Sequence, residues 1–473
     1  MVHARIGKLF SRCQRDAGGT LGAHLDTTTI MRACKPVPLP SKIKRTNERI
    51  HTCTRKTRHR AHCARSKWKY WPKVGNGPDD GWKKNCNRRP TSTAGFFPLS
   101  GRKARHRRKK VMHLRSVNGV VELKVWQGQD GKKGPWGCPI KERWRLRPHQ
   151  QMSPALEEKL AFTATATRSY EEASQLTAQW DCPVDDSVIH SLVQRLGQKA
   201  EEKTQLRLNQ IPQERQPQRA AADLAVLMND GWMARFRGPG WGKKQTKKDR
   251  VEWHEIKTGV FYRHEQLAHS ESGRGLISEK VVVRWQGEPL EFGRRLGWEA
   301  VRGGLGRARE TLALSDGGKW IWKMVEDRWS HAIRLLDFYH ASEHLWNLGR
   351  AYVRGDEGAA QAWVEPRLHQ LRHGQEETVL AEIAALKVPR GAAGQTVRQE
   401  KNYFAGQSGR MNYKGIADRG WPIGSGAVES ACRQSQCRFK CAGQFWTQLG
   451  FRHLSALDEA RRNHHWDELW LAA

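Results

Sequence analysis

Val226-Leu-Met-Asn-Asp-Gly231 and Leu312-Ala-Leu-Ser-Asp-Gly317 share one pattern: an apolar run that ends in aspartate followed by glycine. A short apolar run bounded by turn residues reads as a buried strand, and the Asp-Gly pair as the turn at its carboxyl end. Gly424-Ser-Gly-Ala-Val-Glu429 adds a glycine-rich turn that feeds a helix with a glutamate in its first turn. Two strand-borne aspartates and a later helix-borne glutamate are the ingredients of a divalent-metal site for phosphodiester chemistry. Hard divalent ions take oxygen ligands, and a pair of them can serve both the attacking and the leaving oxygen. On this reading Asp230, Asp316 and Glu429 are the catalytic carboxylates and the ligands of two Mg2+ or Mn2+ ions. Glycine after each aspartate turns the backbone away and leaves room for the ions. Ser425 is expected to cap the glutamate helix, whose dipole favours ionised Glu429. An Asp-Gly pair taken alone is more often an ordinary turn; the order and placement of all three acids carry the functional reading.

Working outward, strand signals fall at Leu224–Met228, Glu252–Tyr262, Lys280–Trp285 and Thr311–Leu314. A helical stretch around Lys319–Trp329 precedes Ile333-Arg-Leu-Leu-Asp-Phe338. Three strands, a helix, a strand, a helix and a further strand is the order of a ribonuclease-H-like α/β core. Residues 341–400, rich in Ala, Leu, Glu and Gln, read as an all-helical insertion before the glutamate helix. Upstream, alternation in Val120–Trp126 marks a small β unit. Ser153-Pro-Ala-Leu-Glu-Glu158 opens a helix with a serine cap and a proline at its first position. Tyr170–Trp180 and Val188–Leu196, separated by a break at 181–183, predict a helix-turn-helix-like DNA-binding region, with a plain helical connector as the alternative. The expected division is a basic head over 1–110, a β unit over 111–149, the helical DNA-binding region over 150–200 and a linker over 201–220. The core then occupies 221–340, the insertion 341–410, and the core is completed over 411–465.

The chain has 473 residues and a formal net charge of +35, which points to a polyanionic partner. Residues 1–110 hold 29 Lys/Arg against 5 Asp/Glu, leaving the remainder only moderately basic at +11. That head has neither helical stripe nor alternation and is expected to be disordered. It reads either as a nucleic-acid-binding arm or as sequence outside the functional protein, from an upstream start or non-coding DNA. Cys53, His59, His62 and Cys63 lie there with a spacing that fits no ordinary zinc finger. No apolar run is long enough for a membrane span, and the cysteine spacing suits reduced thiols, so a cytoplasmic, nucleoid-associated protein is expected. The partner that the charge favours is DNA. Arg235, Arg237 and the Gly238–Lys248 loop with Lys243, Lys244, Lys247 and Lys248 are candidate backbone contacts beside Asp230, and Arg433, Arg438 and Lys440 further ones.

The stretches Asn229-Asp-Gly-Trp-Met, Trp253-His-Glu-Ile-Lys-Thr-Gly-Val-Phe-Tyr262, Ser315-Asp-Gly-Gly-Lys-Trp-Ile-Trp322, Leu336-Asp-Phe-Tyr-His-Ala-Ser-Glu-His-Leu-Trp346 and Pro422-Ile-Gly-Ser-Gly-Ala-Val-Glu-Ser-Ala-Cys-Arg433 together resemble those of ISKra-type bacterial insertion-sequence transposases, relatives of the Mutator-like group. The resemblance spans about residues 112–460. It implies a DDE transposase that acts on terminal inverted repeats and target DNA, as a homodimer or larger assembly, with Asp230, Asp316 and Glu429 as its triad. Asp337 and His340 resemble the auxiliary Asp/Cys-x-x-His element of that group, placed to orient DNA or the scissile phosphate. Competing readings are a DNA-binding protein without catalysis, including an inactive transposase remnant; a structure-specific nuclease on the same core; and a zinc peptidase through His340-x-x-Glu343-His344. Cys432, Cys437 and Cys441 read as small packed residues.

Overall fold

The computed structural model describes residues 101–470 apart from 148, 181, 210–221, 243–249 and 272. It is a mixed α/β structure built on a five-stranded sheet. In chain order the elements before that sheet are β1 (Ala104–Ser116), β2 (Gly119–Asp130), β3 (Trp136–Gly137), α1 (Pro139–Arg143), α2 (Pro154–Ala166), α3 (Tyr170–Ala178) and α4 (Asp186–Asn209). Then come β4 (Leu224–Arg237), β5 (Val251–Arg263), the short β6 (Leu267–His269) and β7 (Gly275–Ile277), β8 (Val281–Gln286), α5 (Pro289–Arg302), β9 (Glu310–Ser315), α6 (Lys319–Arg328) and β10 (Ile333–Leu336). A helical block follows: α7 (Phe338–Tyr352), α8 (Glu357–Arg372), α9 (Glu376–Ala385), α10 (Ala392–Gly406) and α11 (Tyr413–Asp418). Finally α12 (Gly426–Phe439) carries Glu429, and α13 (Gln448–Arg462) packs beside it.

The sheet order is β10-β9-β4-β5-β8. β10, β9 and β4 pair in parallel, while β5 is antiparallel to both β4 and β8. β4 is central, and its burial shows why the sequence reads as it does. Leu224 to Asn229 are buried throughout, as a strand covered on both faces must be. From Trp232 the pattern alternates: Trp232, Ala234 and Phe236 are buried, with more open residues between. On one face α5 and α6 bring Phe292, Leu296, Ile321 and Val325 onto Ala225, Leu227 and Ala313. On the other, Phe439 of α12 and Phe451 of α13 meet Trp232, at 6.5 and 6.4 Å between ring centroids. Arg284 of β8, fully buried, pairs with Asp458 of α13 at 2.6 Å and donates to Ser435 of α12 at 2.9 Å. This bolts the glutamate helix to the sheet edge, and removing one partner of so buried a pair costs about 3–5 kcal/mol.

Several expectations change. The strand reading for Val226–Asp230 stops too early: β4 continues past Gly231 to Arg237, paired with β5 the whole way. What ends at Asp230 is the pairing on the other side, since Asn229↔Ser315 is the last β4–β9 match. The strand thus carries the chain well past Asp230 before the segment after β4 begins. Arg237, its last residue, is seven strand residues beyond Asp230, or about 23 Å. The boundary of the head at 110 cuts through β1, whose first residues are Arg105, His106, Arg107, Arg108, Lys109 and Lys110 after Ala104. Part of the expected linker over 201–220 is the end of α4, which runs to Asn209. Cys53, His59, His62 and Cys63, and Lys243, Lys244, Lys247 and Lys248, lie outside the described residues. Among the described residues no helix is long and apolar enough to cross a membrane.

Candidate active site

Asp230 stands on β4 one residue past the last match with its parallel partner, and stays paired with β5 opposite Thr258. The Gly231 amide donates to its Oδ1 at 2.6 Å, and the Cys432 thiol of α12 donates to the same carboxyl. Burial, first, and then the facing charges of Asp316 and Glu429 push Asp230 up to about 6. Burial and Asp230 itself raise Cys432, which keeps the thiol protonated and a donor. The sequence reading assigned Cys432 to packing; it is a hydrogen-bonding neighbour of the first carboxylate.

Asp316 follows β9 directly, in a tight turn. Its Oδ1 accepts from the Gly318 amide at 3.1 Å, and Gly317 adopts φ +93°, which side chains other than glycine rarely tolerate. The turn is gripped from the helical block: the Tyr403 hydroxyl donates to the Asp316 carbonyl at 3.1 Å and Gln407 Nε2 to the Gly317 carbonyl at 2.9 Å. Trp322 Nε1 in turn donates to Gln407 Oε1 at 2.9 Å. Asp316 is also shifted up, chiefly by burial, with Glu255 and Asp337 adding to the rise while the Gly318 amide and His340 oppose it.

Glu429 lies in the first turn of α12. Ser425 does not cap this helix with its side chain, contrary to expectation. Its hydroxyl donates to Glu429 Oε1 at 3.3 Å, while Arg433 Nη2 approaches Oε2 at 3.5 Å. The cap-like bond comes from elsewhere: Asp337 Oδ2 accepts from the Ser425 amide. Asp337 is buried, and its other oxygen accepts from the His340 amide at 2.8 Å, capping α7. Both of its oxygens accept from backbone amides, and through them Asp337 positions the turn that delivers Glu429.

His340 and His344 lie one helical turn apart with their Nε2 atoms 3.3 Å from each other. His344 Nδ1 is 2.5 Å from Glu400 Oε2, and its ring stacks on Tyr403 at 3.6 Å. This cluster props the phenol that holds Asp316. Arg235 donates to the Cys441 carbonyl at 2.6 Å and Arg237 to that of Phe445 at 3.2 Å, tying the far end of β4 to the segment after α12. Arg438 is buried and donates to the carbonyls of Ala164 and Arg168, so the expected phosphate contact there is replaced by a structural one.

Sequence reasoning missed Glu255. Its Oε1 accepts from Trp320 Nε1 at 3.2 Å, its Oε2 from Lys257 Nζ at 2.8 Å, and it adds to the rise of Asp316. A Cβ on Gly231 would stand 2.5 Å from Glu255 Oε1, so glycine there admits a fourth acid to the neighbourhood. The one signal available was its place two residues before Lys257 in a conspicuous strand.

Among the described residues no three His, Cys, Asp or Glu side chains stand close enough together to enclose a metal ion. The donor chemistry nevertheless fits a hard divalent ion. Asp230, Asp316 and Glu429 offer only carboxylate oxygens, and a bound cation would offset the charges of Asp316 and Glu429 that add to burial in raising Asp230. No protein-family model matches the chain, and no curated protein matches it.

Proposed function

We propose that this chain is a DDE transposase of the ISKra type, with a ribonuclease-H-like core interrupted by a helical insertion and preceded by a helix-turn-helix-like DNA-binding region. What carries the reading is that Asp316 and Glu429, far from Asp230 in sequence, lie near enough for their charges to act on its buried carboxyl. The sheet supports it too. Numbered by appearance the five strands run 5-4-1-2-3 with only the second antiparallel, a mixed sheet compatible with the ribonuclease-H-like reading. The first acid comes from the first strand of the sheet, the second from the end of the fourth and the third from a helix after the insertion.

Asp230, Asp316 and Glu429 would hold the divalent ions, which supply Lewis-acid stabilisation to the attacking and leaving oxygens when bound. The chain's own residues fix the carboxylates. Cys432 orients Asp230, Tyr403 and Gln407 lock the Asp316 turn, and Ser425 with Asp337 sets Glu429. A water then attacks the phosphate at the element's end and frees a 3′-hydroxyl. That hydroxyl attacks target DNA in the same site, with one phosphodiester bond broken for each bond formed.

Asp316→Asn tests this, because it removes charge and keeps shape. With Mg2+ and a duplex carrying the element's terminal repeat, nicking should fall by about 10^3-fold or more, while DNA binding in EDTA stays within about twofold of the parent. Full nicking by this variant would remove Asp316 from the chemistry. Binding without any metal-dependent nicking by the parent chain would leave a DNA-binding protein.

A further inference from the structure

Glu255 of β5 sends its two oxygens to different elements. Oε2 accepts from Lys257 Nζ at 2.8 Å, and Lys257 is buried, opposite Gly231 of β4. A buried ammonium holds its carboxylate partner closely, because neither charge has water to fall back on. Oε1 reaches α6, where it accepts from Trp320 Nε1 at 3.2 Å. The indole is fixed on other sides too: its ring meets buried Phe292 edge-on at 5.7 Å, and Lys257 Nζ lies 5.2 Å from a ring centroid. Trp320 is the second residue of α6. Gly318, the N-cap of that helix, has no capping side chain, and its amide donates to Asp316 Oδ1 at 3.1 Å. Asp316 and α6 are thus joined by two glycines, which resist little on their own, so the start of the helix must be held from outside. Tyr403 and Gln407 hold the carbonyls of the turn from the helical block. Glu255 holds Trp320 from the sheet, close enough for its charge to add to the rise of Asp316.

We propose that Glu255 is a positioning residue of the cation site: through Trp320 it sets the first turn of α6, and through the Gly318 amide the direction of the Asp316 carboxylate. Glu255 is not itself a ligand, since Trp320 and Lys257 each engage one of its oxygens. Lys257 explains why the residue is a carboxylate rather than an amide, because a buried ammonium needs a charged partner. Gly231 leaves the space in which this acid stands. Partners that orient a metal ligand without touching the metal govern affinity as well as fold. The inference rests on the reading of Asp316 as a cation ligand, but its test reads binding and not nicking.

The test is calorimetric titration of Mn2+ into the full chain at pH 7.5, beside W320F, E255A, W320F/E255A and D316N. W320F removes only the indole donor and keeps the Glu255–Lys257 pair. Its Mn2+ affinity should fall by about three- to tenfold, at or below the lower end for a direct partner of a metal ligand. E255A should lose at least as much. The double variant should bind no more weakly than E255A, since both changes cut the same link. Parent-like affinity in W320F overturns the proposal whether or not E255A folds, and a lowered melting temperature with that affinity would make the bond part of the fold alone. Additive losses in the two single variants overturn it as well. If D316N loses Mn2+ binding and W320F does not, the cation site stands and this inference falls. If W320F weakens binding while the parent never nicks DNA, the positioning role stands and the transposase reading falls. A parent chain that binds no Mn2+ removes both.

Discussion

Two Asp-Gly pairs with nearly the same approach in sequence do different things in the fold. After Asp316 the chain turns: Gly317 takes φ +93° and Asp316 bonds the Gly318 amide. After Asp230 it does not turn at all, and Gly231 lies mid-strand opposite Lys257. Glycine is needed at the first site for backbone conformation and at the second for space, because Glu255 fills the volume where a side chain would begin. One dipeptide thus delivers a carboxylate by ending a strand, the other by ending only a neighbour's pairing. Both leave the acid at the open carboxyl end of the parallel strands.

The comparison breaks most easily at Gly317. Gly317→Ala combines a left-handed backbone with a methyl 2.9 Å from Gln407 Nε2, Leu336 Cδ1 and the Tyr403 hydroxyl. A loss of about 2–4 kcal/mol in denaturant unfolding is expected, with nicking reduced along with it. A loss below about 0.5 kcal/mol would mean that the turn is not held as described.

Asp230→Asn sharpens the contrast through pH. A folded-state carboxyl raised to about 6 holds its proton more tightly than the unfolded chain does, so this group's contribution to stability is lost as pH rises from the ordinary value of 3.8 through about 6. The asparagine variant should therefore be more stable than the parent at pH 7.5, by about 1–3 kcal/mol, with the gap closing near pH 4. Thermal unfolding at the two pH values checks the sign. A variant less stable than the parent at pH 7.5 would contradict it.

The smallest effect belongs to Gly231→Ala, at about 1 kcal/mol, because the obstacle is the flexible end of Glu255. Adding Glu255→Ala should recover most of that cost, giving a coupling of about 0.5 kcal/mol or more in a double-mutant cycle. Strict additivity would show that Glu255 does not occupy the space above Gly231.

These differences also explain what could be read in advance. The unbroken apolar run Leu224–Met228 shows a strand covered on both faces, and the helical block after β10 is plain in its composition. The continuation of β4 was present in the alternation Trp232, Ala234, Phe236, but Asp-Gly turn chemistry outweighed it. The basic end of β1 has no alternation to find, since both of its faces are open. Glu255 and Tyr403 were invisible for another reason. Each acts at a carboxylate brought to it by tertiary packing, across a strand pair for Glu255 and from the helical block for Tyr403. Asp337 was singled out in sequence, yet its role depends on amides at His340 and Ser425, the latter 88 residues away.

The central claim is that Asp230, Asp316 and Glu429 serve one cation site, and calorimetric titration of Mn2+ at pH 6 in buffers of different ionisation enthalpy tests it most directly. With Asp230 near half-protonation at that pH, binding should release about half a proton. Asp230→Asn should abolish that release, and Asp316→Asn and Glu429→Gln should each weaken Mn2+ binding by about tenfold or more. Equal Mn2+ affinity in the parent and all three variants, with no proton released by any of them, would contradict the account.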